Sequence, residues 1–269
     1  MQSPHPNFKD QDHRALLEAY LKALNLTMFL EHYQAYAKDA MRSGQSPERF
    51  LLALCEAETG HRDAQRIERA IAQAKLPFVK ELSTYDFSAI ESIQKTRVLE
   101  LAQGGYMQRA ENLLLLGAPG LGKTHLAIGL ALAACRQGKR VRFYRAAKLV
   151  DDLLVHQHNL SLSRFTAKFE RLDLLVLDEL GFFPVAQQGA QLLFQLCSDL
   201  YERVSMIVTS NLRFGEWNQI FGDDKLTAAF IDRLTHKGYI LEFVGESYRY
   251  RHRLELPDTE NGEMRSESR

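Results

Sequence analysis

The side chains with chemical potential fall in two places. Lys123 and Thr124 end the loop Gly117-Ala-Pro-Gly-Leu-Gly-Lys-Thr124, and Asp178-Glu179 closes the aliphatic run Leu174-Leu-Val-Leu177. The loop is a complete G-x-x-x-x-G-K-[ST] pattern directly behind an apolar run over residues 113–116. Gly117, Gly120 and Gly122 allow a tight turn whose N–H groups point inward, and a helix expected over residues 126–135 directs its positive end at the same point. That is a cradle for the phosphates of a nucleoside triphosphate. Lys123 would meet the β- and γ-phosphates as a point charge, the Thr124 hydroxyl would be a ligand of Mg²⁺, and Ala118, Pro119, Leu121 and His125 complete the expected contacts with ATP.

The second cluster supplies what such a cradle lacks. Asp178 would hold Mg²⁺, mostly through water, and Glu179 would orient and polarise the water that attacks the γ-phosphate. Composition makes residues 174–177 a buried parallel strand, and its C-terminal end is where open α/β sheets bind ligands. A further strand over residues 206–210 ends at Asn211. Its amide could sense the γ-phosphate and the attacking water, although an Asn equally suits the turn that follows; its position at a strand end favours the sensor. Arg233, at the end of a helix over residues 229–234, is the candidate for an arginine supplied to a neighbouring subunit, against an ion pair with Asp232. Arg249 would approach the phosphates or the adjacent subunit.

The elements that must position these groups divide the chain into a helical domain (residues 1–76), a linker with a lead-in helix (77–111), an α/β domain (112–256) and a disordered tail (257–269). Residues 12–76 carry helical spacing, with Thr27 placed to cap a second helix, Gly44 to end it, and Ser46-Pro47 to start a third. On the last stretch Arg62, Arg66 and Arg69 share one face, opposite Ala64, Ile67 and Ile71. Such a row could grip successive DNA phosphates, or be a solvated face with Glu58 pairing with Arg62. From residue 113 short apolar runs alternate with helical stretches, which predicts a largely parallel central sheet. Two helices between the strands ending near Tyr144 and starting near Asp173 form an insertion, and Arg145 and Lys148 in its basic neighbourhood are further candidate DNA contacts.

At 269 residues with a formal net charge of zero, the chain has no global basic field, so any nucleic-acid binding must come from local patches. Cys55, Cys135 and Cys197 form no C-x-x-C pair and read as reduced core thiols. No apolar run approaches the roughly 20 residues needed to cross a bilayer, and the first residues lack a signal-peptide pattern, which predicts a cytoplasmic protein with no membrane partner.

The phosphate loop, the Leu-Leu-Val-Leu-Asp178-Glu179-Leu-Gly run, Thr209-Ser-Asn211, Asp232-Arg233-Leu-Thr-His236 and Gly245-Glu-Ser-Tyr-Arg249 together resemble the IstB-like AAA+ ATPases, helper proteins of DNA transposition related to DnaC-type helicase loaders and the DnaA initiator. The likeness covers nearly the whole chain. It implies an AAA+ P-loop NTPase core behind a small all-helical N-terminal domain, with Arg233 matching the family's trans-acting arginine and the insertion lining a DNA-binding pore. It further implies a Mg-dependent ATPase that forms a homo-oligomer on double-stranded DNA and recruits and stimulates a transposase at its target site. Gly60, inside a stretch the family keeps helical, and the His/Ser-rich break in the insertion depart from the pattern. Two other readings stay open: a loader acting on a replicative helicase and single-stranded DNA, and a nucleotide switch with negligible turnover.

Overall fold

The computed structural model describes residues 8–182 and 186–245. The chain forms two compact units, Met1–Arg69 and Ala70–Arg269.

The first unit holds α1 (Phe8–Ala23), α2 (Thr27–Ser43) and most of α3 (Pro47–Ala74). Gly44 ends α2 in the left-handed conformation at φ 63°, as its sequence position predicts. The start of α2 differs from expectation. Its N-cap is Leu26, without a side-chain cap, and the part-buried Met28 N–H instead donates to Glu58 Oε2 of α3 at 2.8 Å. A carboxylate reaching over from another helix thus satisfies an orphan donor at the helix start where Thr27 was expected to be the cap. Gly60 does not interrupt α3, which runs as one 28-residue helix, so Arg62, Arg66 and Arg69 do share a helix.

In the second unit α4 (Lys95–Ala102) and α5 (Gly105–Gln108) lead to β1 (Asn112–Gly117) and α6 (Lys123–Arg136). α4 begins later than the amphipathic pattern from Ile90 suggests. Then come β2 (Val141–Arg145), α7 (Ala146–His158), the short α8 (Leu162–Thr166), β3 (Leu174–Leu180), α9 (Gln187–Leu200) and β4 (Ser205–Ser210). The chain continues through α10 (Asn218–Phe221) and α11 (Asp224–Thr235) to β5 (Gly238–Phe243). The sheet is five-stranded, ordered β2-β3-β4-β1-β5, and every described pairing is parallel.

Side chains of successive strand residues point to opposite faces, and the two cores follow that rule. Leu113, Leu115, Leu174, Val176 and Ile207 pack with Leu126, Ile128, Leu130 and Ala134 of α6 on one face. Leu114, Leu116, Leu175, Leu177, Met206 and Val208 pack with residues of α7, α9 and α11 on the other. With both faces covered, the inner strands read as continuous aliphatic runs, which makes them visible in sequence. The edge strand β5 alternates between exposed and half-buried positions before Phe243 and is not visible in that way. Trp217, Ile220 and Phe221 belong to the second core. Cys135 and Cys197 are buried, and burial pushes their thiols up to about 11 and about 12. Cys55 is exposed on α3, so it is not the core thiol its apolar neighbours suggested. Among the described residues no helix is long and apolar enough to cross a membrane.

Candidate nucleotide site

β1 ends at Gly117, whose φ of 145° is hostile to L side chains. A Cβ there would lie 2.3 Å from the Phe243 carbonyl oxygen, so β5 packs against the loop's first residue at a distance only glycine permits. The loop closes at Gly122, the N-cap of α6, in the left-handed conformation at φ 84°. α6 therefore starts at Lys123, and its first-turn N–H groups face the loop. Lys123 is 6% exposed; its Nζ donates to the carbonyl oxygens of Gly117 at 2.5 Å and Ala118 at 2.7 Å, which holds the ammonium at the mouth of the loop.

Asp178 is 2% exposed and sits across from Thr124. Its Oδ1 accepts from the Thr124 hydroxyl at 2.8 Å and from the Thr209 hydroxyl at 2.7 Å. Thr209 in turn accepts the backbone N–H of Glu179 at 2.9 Å. These bonds tie β3, β4 and the start of α6 together, and they satisfy a buried carboxylate that would otherwise carry a heavy desolvation penalty.

Glu179 is the unusual residue of this group. It lies inside β3 yet has φ 60°, and the pairing of β3 with β4 shifts register between Leu177 and Leu180. A non-glycine residue at positive φ inside a strand is a costly conformation that surrounding bonds must enforce, as the Thr209 bond does here. The bulge turns the carboxylate outward: Glu179 is 44% exposed, and Arg145 Nε stands 3.7 Å from it.

These groups line one cleft of about 530 Å³, with Lys123, Thr124, His125, Asp178, Glu179, Thr209, Asn211 and Arg145 on its wall. The opposite wall was not foreseen. Pro77, Phe78, Tyr85, Ala89 and Ile90, in the segment read as a linker, complete the cleft. That segment is strapped onto α6. Arg136 is paired with Glu81, the His125 ring meets Tyr85 edge-on at 5.1 Å, and Leu82 packs where Gly129 leaves no side chain in its way. Burial lowers the basicity of His125 and pushes the Tyr85 hydroxyl up to about 12. The apolar spacing of Leu82, Tyr85 and Phe87 was the only sequence signal for this role, and it is too short to carry one.

Arg233 does not line the cleft; its guanidinium stacks on the Phe194 ring at 4.6 Å. Arg249 lies outside the described residues, as does the predicted tail. Lys148 is paired with Asp152 at 2.7 Å on α7. In the first unit Arg62 donates to Glu58 at 2.8 Å and to the Asn25 carbonyl at 2.9 Å, whereas Arg66 makes a 3.3 Å contact with exposed Asp63.

A wholly parallel sheet with a phosphate-type loop after β1 and a carboxylate pair near the C-terminal end of β3 defines an AAA+ P-loop fold. The solved structure described as "Crystal Structure of the DnaI" superposes with a TM-score of 0.52 over 61% of this chain and 91% of that chain at 16% identity, a likeness of fold. The model of the family described as IstB-like ATP binding protein matches residues 19–256, and the chain belongs to that family. It is 40% identical over 90% of its length to "Putative insertion sequence ATP-binding protein y4iQ/y4nD/y4sD" of Sinorhizobium fredii, covering 81% of that protein. It is 37% identical over 87% of its length to "Insertion sequence IS5376 putative ATP-binding protein" of Geobacillus stearothermophilus, covering 94% of it.

Proposed function

We propose that the chain binds and hydrolyses ATP in the Lys123 cleft, assembles as a homo-oligomer on double-stranded DNA, and recruits and stimulates the transposase of an insertion sequence at its target site. One observation carries the nucleotide part: the Thr124 hydroxyl and the Asp178 carboxylate share a 2.8 Å bond beside the buried Lys123, in a family whose members are named for ATP binding. The likeness to insertion-sequence proteins supports the rest.

The donor set fits the groups this reading requires. Thr124 and Asp178 present adjacent hard oxygen atoms of the kind Mg²⁺ prefers. When bound, Mg²⁺ supplies charge neutralisation to the phosphates. The Gly117–Thr124 backbone and Lys123 hold the β- and γ-phosphates, and the wall of Pro77, Phe78 and Ile90 suits a flat base. Glu179, turned outward by its bulge, orients the attacking water, and Asn211 at the end of β4 reads the γ-phosphate.

The test is a pair of variants of the full chain. Lys123→Ala should abolish binding of a fluorescent ATP analogue. Glu179→Gln should bind it normally, lose turnover by roughly 100-fold or more, and persist longer on duplex DNA. Wild-type turnover in Glu179→Gln would overturn the role given to Glu179, negligible turnover in the wild-type chain would overturn the hydrolytic reading, and preference for single-stranded over duplex DNA would favour a helicase loader instead.

A further inference from the structure

Arg233 stands in the last turn of α11 and takes no part in lining its own cleft. How its charge is held is informative. Among the described residues it forms no ion pair, not even with neighbouring Asp232. Its Nη1 makes one long bond, 3.4 Å, to the Ala229 carbonyl one turn back. What supports it is a ring: the guanidinium carbon lies 4.6 Å from the centroid of Phe194 on α9.

That ring is a firm platform. Phe194 is half-buried and packs against Phe230, ring centroids 6.4 Å apart. Phe230 is 1% exposed and touches Phe221 at 4.8 Å and Trp217 at 6.0 Å, both fully buried. The inner side of Phe194 is therefore anchored to an aromatic cluster, and Arg233 lies against the ring. The choice of an aromatic support has a chemical consequence. A carboxylate partner would neutralise the guanidinium and consume its N–H donors in a bidentate pair. A ring face attracts the cation through its quadrupole and leaves the charge and the donor edge available.

We propose that Phe194 is the positioning residue for Arg233, holding the guanidinium with its charge intact and its donors free for the phosphates bound in the cleft of a second copy of this chain. The inference rests on the reading that Arg233 serves a neighbouring cleft. It adds that the arginine is pre-positioned by a ring of its own subunit before that cleft arrives.

The experiment uses the full chain with ATP, Mg²⁺ and duplex DNA. Phe194→Leu keeps apolar volume against Phe230 but removes the ring face, and should lower kcat roughly threefold to tenfold with KM for ATP unchanged. Phe194→Trp, which offers a stronger ring face, should restore wild-type kcat. ATP-analogue binding and thermal melting, followed in both variants, should stay near wild type, so that a general loss of packing is recognised. Mixing Phe194→Leu subunits with Lys123→Ala subunits, which have a disabled cleft but an intact ring and arginine, should give more turnover than the sum of the two alone. Arg233→Ala tests the underlying reading, which falls if that variant turns over at the wild-type rate. If Arg233→Ala is impaired while Phe194→Leu is not, or if Phe194→Trp fails to restore what Phe194→Leu loses, the positioning role of the ring is overturned and the arginine's role stands.

Discussion

Arg145 Nε lies 3.7 Å from Glu179 Oε2, across the parallel pair β2 and β3, with Arg145 in register beside Asp178. An arginine whose neighbourhood suggested DNA thus faces the carboxylate expected to handle water. A carboxylate drawn toward a guanidinium is less free to orient a water. Arg145→Ala should raise basal ATP turnover in the absence of DNA by roughly twofold to fivefold, the range an exposed pair supports. It should leave the salt dependence of DNA binding unchanged. A reduced salt slope with unaltered turnover would return Arg145 to the DNA surface.

Gly117 should tolerate no side chain. Gly117→Ala would place a methyl 2.3 Å from the Phe243 carbonyl oxygen at φ 145°. The two insults together should cost about 2–4 kcal/mol. Urea unfolding of the second unit would show it as a lower midpoint at unchanged slope.

The arginines of α3 should separate by role. Arg62 holds Glu58, itself 5% exposed, and the Asn25 carbonyl, so Arg62→Ala leaves a buried carboxylate short of a partner and should destabilise the first unit by about 1–3 kcal/mol. Arg66 and Arg69 are exposed, and among the described residues they have only a surface contact to Asp63 and a bond to the Gln65 carbonyl. The double variant Arg66→Ala and Arg69→Ala should change stability by less than about 0.5 kcal/mol. If they meet DNA, it should also flatten the salt dependence by roughly one unit of slope per lost phosphate contact. Hydrogen exchange and salt titration of DNA binding read the two effects separately.

The same carboxylate makes the first unit sensitive to acid. Burial tends to raise the Glu58 carboxyl, but the Arg62 bond and the Met28 N–H outweigh it and hold the group below its ordinary 4.5. A group depressed in the folded state contributes stability that is fully present above its unfolded value and is lost as pH falls through the folded one. Helicity of the first unit should therefore hold above about 4.5 and decline below it. Glu58→Gln should flatten that dependence; an identical acid transition in both proteins would remove Glu58 from the account.

The sequence by itself determined the phosphate loop, the carboxylate pair after a buried strand, and the alternation of helices with inner strands. Those signals are local: glycine spacing sets the loop, and strands covered on both faces need unbroken aliphatic runs. The caps at Gly44 and Ser46-Pro47 were legible for the same reason. What only the tertiary structure decided depends on strand order and on packing between distant segments. Because β4 lies between β1 and β3, Thr209 reaches Asp178 and the Glu179 N–H, and because β2 is the other neighbour of β3, Arg145 reaches Glu179. The left-handed Glu179 is a bulge enforced from the next strand, with no local residue preference to announce it. The strap from Glu81 to Tyr85, the edge strand β5 and the ring beneath Arg233 are likewise contacts between segments far apart in the chain. Periodicity records which side of an element is apolar; the identity of the element that covers that side is fixed only when the sheet is assembled.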